Sequence, residues 1–137
     1  MISKKTKTNK IWGERMRSKP SYLLTKINAS INIDKKLYVQ DIKGSIAHCK
    51  MLLKQKIIDK NISKKIIKGL KRIEKEIQQK KFKFSKFNED IHLNIEKRLF
   101  EIIGNDAGFL HIARSRNDQV TTDFKLWTIE ASKILKI

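Results

Sequence analysis

Apolar side chains recur three and four positions apart in four separate stretches, and this spacing dictates a helical fold. The first stretch carries Val39, Ile42, Ile46, Cys49 and Leu53, and predicts a helix over about 34–54. The second carries Ile66, Leu70, Ile73 and Ile77 over about 63–80, with Ser63 as its cap. The third carries Ile91, Ile95, Leu99 and Ile102 over about 89–103, with Gly104 placed to end it. The fourth begins near Ser115 and carries Val120, Phe124, Trp127, Ala131 and Ile134, the 4-3-4-3 rhythm of a bundle seam with Trp127 in its core. One proline and five glycines leave little turn chemistry, so the expected fold is all-α. Residues 1–20 read as an extended tail ending at Pro20, and residues 104–114 as a glycine-containing loop. The fourth helix meets no stop signal while still apolar, as a fragment lacking its packing partners would.

The 137 residues make one domain's worth of chain, and 39% hydrophobic content is enough for a core. Cys49, the only cysteine, rules out a disulfide framework and lies on an apolar stripe, which predicts a buried thiol in a reducing compartment. No apolar run is long enough to span a bilayer, and residues 1–10 lack the apolar segment of a secretory signal. The net charge of +18 invites a nucleic-acid reading. Arginine occupies only six positions, however, so the excess is lysine spread along the chain. Pairs such as Lys64-Lys65 and Lys80-Lys81 fall on the polar sides of helical patterns. No zinc spacing, aromatic RNA-binding motif or basic region leading into heptads accompanies them. The charge is read as a solvated face and a lysine-rich composition.

The chemistry concentrates in Leu110-His111-Ile112-Ala113-Arg114-Ser115-Arg116-Asn117-Asp118-Gln119-Val120. Ser115 followed by Asp118 fits a capping box, with the Ser115 hydroxyl on the Asp118 amide and the Asp118 carboxylate reaching back. The other first-turn N–H groups and the helix dipole favour a bound anion. Arg114 and Arg116 offer bidentate grips, and Asn117 adds a donor and an acceptor. The run therefore suits a small polycarboxylate; the plainer alternative is a helix start with solvated charges. His111 beside this turn is either a base or a loop histidine bonded to backbone. His92 and Glu96, four apart, are expected to face each other, and His48 and His92 to act as intrahelical support.

The same run resembles the signature of the argininosuccinate lyase family, L-H-T-[GA]-R-S-R-N-D-Q-V. Ile27-Asn28-Ala29-Ser30-Ile31 is similar to that family's F-N-A-S-I, and Asp41-Ile42-Lys43-Gly44-Ser45-Ile46-Ala47-His48 to its D-I-x-G-S-x-A-H. Glu89-Asp90-Ile91-His92 with Ile95-Glu96 resembles E-D-I-H-x-x-I-E, and Ile11-Trp12-Gly13 with Arg15 resembles L-W-G-G-R-F. The blocks occur in family order. The departures are Ile112 where the family has Thr, Glu14 and Met16 for Gly and Phe, and Ile27 for Phe.

The resemblance implies the N-terminal helical domain of the fumarase/aspartase-like fold over residues 21–111. Residues 112–137 would begin the first long helix of a central bundle. It implies β-elimination of argininosuccinate to arginine and fumarate, in a cytoplasmic homotetramer without cofactor or metal. Ser30, Asn117, Arg114 and Arg116 would contact substrate, with His111, Ser115 and Asp118 behind them. The family's acid and base, a His in a Thr-His segment and a Ser in a glycine-rich loop, have no counterpart here. No catalytic residue is therefore expected in this chain, and the chain alone should be inactive. A non-catalytic remnant or interaction module is the alternative, and a basic helical nucleic-acid binder a more distant one.

Overall fold

The computed structural model describes residues 22–135. The expected tail over residues 1–20 and the block Ile11–Arg15 lie outside them. Six α-helices follow in order: α1 Tyr22–Asn28, α2 Ile31–Asp34, α3 Tyr38–Lys54, α4 Lys60–Gln78, α5 Ile91–Ile103 and α6 Arg116–Leu135. Short 3-10 turns occupy Lys35–Leu37, Lys86–Asn88 and Gly104–His111. No strand occurs among the described residues, so the fold is all-α as the periodicity required.

Helices α3, α4 and α5 form the apolar body. Ile42, Cys49 and Leu52 of α3 meet Ile66, Leu70 and Ile73 of α4 and Ile91, Ile95 and Leu99 of α5, all buried. Burial of each such side chain is worth about 1.5–3 kcal/mol. Helices α4 and α5 approach closely at Gly69, where an added Cβ would come within 2.5 Å of Leu99 Cδ1. The cap of α4 is Asp59 rather than Ser63: the Asp59 carboxylate accepts from the Ile62 amide at 2.8 Å. Ser63 is instead buried inside the helix and receives the Cys49 thiol at 3.5 Å. Burial pushes that thiol up, as befits an inert core cysteine. Asp90 caps α5 through the Leu93 amide at 2.7 Å. Gly104, at φ 67°, ends α5 in a conformation costly to other residues.

Four elements depart from the expectation. Helices α1 and α2 precede the anticipated first helix; Leu23, Ile27 and Ile33 are exposed, so no amphipathic pattern announces them. Residues 104–111 wind as a 3-10 helix where a loop was expected, and bury Leu110. The largest difference is in α6. Its seam residues face outward: Val120 is 42% exposed, Phe124 58%, Trp127 44% and Ile134 81%. Trp127 is not in the core of this chain but stacks on Phe124, ring centres 6.1 Å apart. The face turned toward α3 is polar, with Gln119 and Asp123 buried. Gln119 bonds Asp41 on the body of the molecule, Asp123 comes within 3.4 Å of His92, and one helix face cannot serve both sets of residues.

Candidate functional site

The turn before α6 is built by backbone geometry. Ala113 adopts a left-handed conformation, φ 54°, and the Arg114 amide returns to the His111 carbonyl at 3.3 Å. The Ile112 carbonyl is held by His48 Nε2 of α3 at 3.0 Å. Ser115 then caps α6: its carbonyl accepts from the Gln119 amide at 3.2 Å, and its hydroxyl from the Asn117 amide at 3.2 Å. The expected capping box is thus replaced by a shorter cap on the second amide. No hydrogen bond joins Asp118 back to Ser115 among the described residues, since Asp is a methylene shorter than the usual Glu.

The two arginines diverge. Arg114 runs inward and donates to the buried Ser45 hydroxyl of α3 at 2.9 Å. Gly44 beside it makes room, since a Cβ there would stand 3.4 Å from Asp123 Oδ1 and 3.9 Å from Arg114 Nη2. Arg116 is engaged within the chain: it reaches Glu96 through both terminal nitrogens at 3.0 and 3.3 Å, and Gln119 Oε1 at 2.7 Å. Asn117 and Asp118 project from the first turn, exposed. Ser30 is also exposed and donates to Asp34 at 2.5 Å. Its backbone is fixed elsewhere, because the Glu89 carbonyl accepts from both the Ser30 and Ile31 amides at 2.9 Å.

Behind the turn lies a buried polar cluster. His92 Nδ1 on α5 bonds Asp41 Oδ1 on α3 at 3.0 Å and lies 3.4 Å from Asp123 Oδ2 on α6. Gln119 Nε2 donates to the same Asp41 oxygen at 2.5 Å. The expected His92–Glu96 pairing does not form, because His92 turns inward while Glu96 turns toward Arg116. His111 stands 3.5 Å from Glu96 Oε1 rather than on backbone. Burial resists ionisation of Asp41, yet its bonds and charge contacts with His92, the Gln119 bond and the Arg114 charge hold it below the usual carboxylate range. Burial likewise opposes charging of His92, and Asp41 outweighs it, raising the imidazole. A cleft of about 380 Å³ opens beside the cluster, with Asp41, Ser45, Glu96, His111, Arg114 and Gln119 on its polar side.

Of the side chains anticipated at the site, Arg114 and His111 share this cleft. Ser30, Ser115, Arg116, Asn117 and Asp118 do not line it. Asp41, Ser45, His92, Glu96, Gln119 and Asp123 were not anticipated as site residues. Their signal was polarity at core-facing helix positions: Asp41 and Ser45 share a face of α3 with Cys49, and Gln119 and Asp123 lie four apart on α6. Donor atoms of Asp41, His92 and Asp123 fall within 4.8 Å of one another, a grouping that would also suit a cation. Here His92 Nδ1 and Asp41 Oδ1 are already bonded to each other, and Arg114 adds a positive charge nearby.

The sequence blocks therefore interlock: the Asn-Ala-Ser block meets Glu89, Asp41 meets His92 and Gln119, and Ser45 meets Arg114. Residues 14–137 match the family described as Lyase. The chain is 60% identical over 123 residues to an argininosuccinate lyase of Pelagibacter ubique (strain HTCC1062), covering 90% of this chain and 27% of that protein. It is 58% identical over 119 residues to an argininosuccinate lyase of Ehrlichia chaffeensis (strain ATCC CRL-10679 / Arkansas), covering 87% of this chain and 25% of that protein. The chain thus spans about a quarter of the length of these relatives. A match over nearly every residue, with four sequence blocks locked together in space, means that this chain belongs to the lyase family.

Proposed function

We propose that this chain supplies part of the substrate-binding surface of an argininosuccinate lyase, which splits argininosuccinate into arginine and fumarate. The observation that carries the reading is the turn at 113–117. There a guanidinium, a helix start and the Asn117 amide are presented by backbone fixed from α3. β-Elimination removes a proton next to a carboxylate, and the negative charge that builds on that carboxylate is met by oriented donors. Arg114 and Asn117 supply such donors; Arg116, neutralised by Glu96, acts on the shape of the turn. Ser30 is assigned to substrate as well, through the resemblance of its motif. Proton transfer belongs to segments outside this chain. Residues 21–111 form the helical domain and 112–137 begin the bundle of a cytoplasmic homotetramer, a reading the outward apolar seam of α6 supports. That seam also favours a second reading, an interaction module without turnover.

A chimera tests the first reading. This chain replaces its matching segment in the Pelagibacter enzyme, and fumarate release from argininosuccinate is followed by absorbance. The chimera should turn over, and the 137-residue chain alone should not. Asn117→Ala and Arg114→Ala in the chimera should each lower kcat/KM about 10- to 100-fold, the loss of one charge-assisted or oriented bond of about 1.5–3 kcal/mol. Unchanged kinetics with a lowered Tm would make the turn structural only, and an inactive chimera would favour the interaction module.

A further inference from the structure

The buried cluster contains carboxylate oxygens without a hydrogen-bond partner, with only the His92 imidazole near one of them, 3.4 Å from Asp123 Oδ2. Asp123 is wholly buried, and neither of its carboxylate oxygens has a hydrogen-bond partner. The second oxygen of Asp41, Oδ2, is also buried and unpartnered. Leaving a carboxylate desolvated and unpaired is far costlier than neutralising it. Two carboxylates facing each other in one buried enclosure meet that demand together when a single proton joins them.

We propose that Asp123 is a positioning residue for the carboxylate-gripping turn: it is held as the neutral acid and donates its proton to Asp41 Oδ2, leaving Asp41 Oδ1 free to hold Gln119 and His92. The inference rests on the reading of residues 113–117 as a carboxylate grip. The connection runs through named bonds. Asp41 fixes the Gln119 amide, Gln119 Oε1 fixes Arg116, and Arg116 is seated on Glu96. The first turn of α6 is thereby locked to α3 and α5. If Asp123 ionised, two adjacent buried anions would repel, and α6 would be pushed from α3 at the point where the turn is held.

The groups facing Asp123 are Asp41 on α3, His92 on α5, Gln119 on its own helix and Arg114 from the preceding turn. Farther out, Asp90 and Arg116 act on His92. Burial and then the Asp41 charge push Asp123 up to about 7, against the pull of His92 and Arg114. A folded-state value raised above the unfolded one contributes stability that is complete in acid and lost as pH rises through about 7.

The test uses the whole 137-residue chain with aspartate Cγ labelled with carbon-13. At pH 6 Asp123 should resonate as the acid and Asp41 as the carboxylate, with Asp123 titrating near neutrality. Asp123→Asn keeps a donor for Asp41, so amide exchange at 117–120 should stay slow and the loss of stability between about pH 4 and about 7 should shrink. Asp123→Ala removes the donor and should speed exchange at 117–120 at least tenfold while α4 is unchanged. An ionised Asp123 at pH 6 overturns the proposal. So does an Asn variant as damaging as Ala, or selective broadening of the Asp41 and Asp123 signals by added Mn²⁺, which would reveal a cation site. Succinate titrated into the chain should shift the Arg114 and Asn117 signals. If it leaves them still while Asp123 is the acid, the carboxylate grip fails, and the positioning role with it.

Discussion

The α3–α5 body and α6 solve the problem of burial in opposite ways. In the body, apolar stripes point inward, and Ile66, Leu70, Ile73 and Leu99 are sealed from water. In α6 the apolar stripe points outward, and the inward face carries Gln119 and Asp123. The contrast teaches that helical periodicity identifies a face without saying which way it points. In the body the apolar face is the buried one, even though Asp41, Ser45 and His92 are buried with it. On α6 the polar face has complementary groups waiting on two helices, so hydrogen bonding sets the orientation, and the apolar face is available to another surface. No helix of the described residues is long and apolar enough to cross a membrane.

Substitutions on the two regions should separate sharply. Ile66→Ala, in the centre of the body, should cost about 2–5 kcal/mol, read as a shifted denaturation midpoint. A cost below about 1 kcal/mol would mean that the body is looser than its burial implies. Gln119→Leu should cost less, about 1–3 kcal/mol, because it strips one partner each from Asp41 and Arg116 while preserving bulk. A neutral result would break the claim that polar bonding orients α6. Phe124→Ser should be smallest, within about 0.5 kcal/mol of the parent. It should nevertheless reduce self-association in light scattering at high salt, since apolar contact is not screened. A loss of stability comparable with Ile66→Ala would place Phe124 in the core after all.

The body was legible because each of its helices declares its inward face alone. Ile42 and Cys49, or Ile66, Leu70 and Ile73, need no knowledge of the neighbouring helix to be recognised, although the spacing selected Leu53 where Leu52 is the one fully sealed. The polar cluster was not legible in that way. Asp41, His92 and Gln119 lie 51 and 78 positions apart in their pairings, and a lone Asp or Gln in a helix looks like a surface residue until its partner is found. The family blocks contained Asp41, Ser45, His92, Glu96 and Gln119 but did not say that they touch. Asp123 lay in none of the blocks. At the helix start, the pattern located the cap at Ser115. The pattern did not tell that the hydroxyl accepts from the Asn117 amide and not from that of Asp118.

Ala113 gives the turn a chirality. With φ at 54° it occupies a region where an L side chain crowds the following carbonyl, at about 1–2 kcal/mol, and glycine does not. The family signature carries glycine or alanine at this position. Lys56, Lys80 and Glu89 share the same handedness, so an unbranched side chain is tolerated there at a cost. A β-branched residue at 113 would crowd this backbone and drive it toward its mirror region. The Arg114 guanidinium would then leave Ser45, with no atom of the arginine itself having changed.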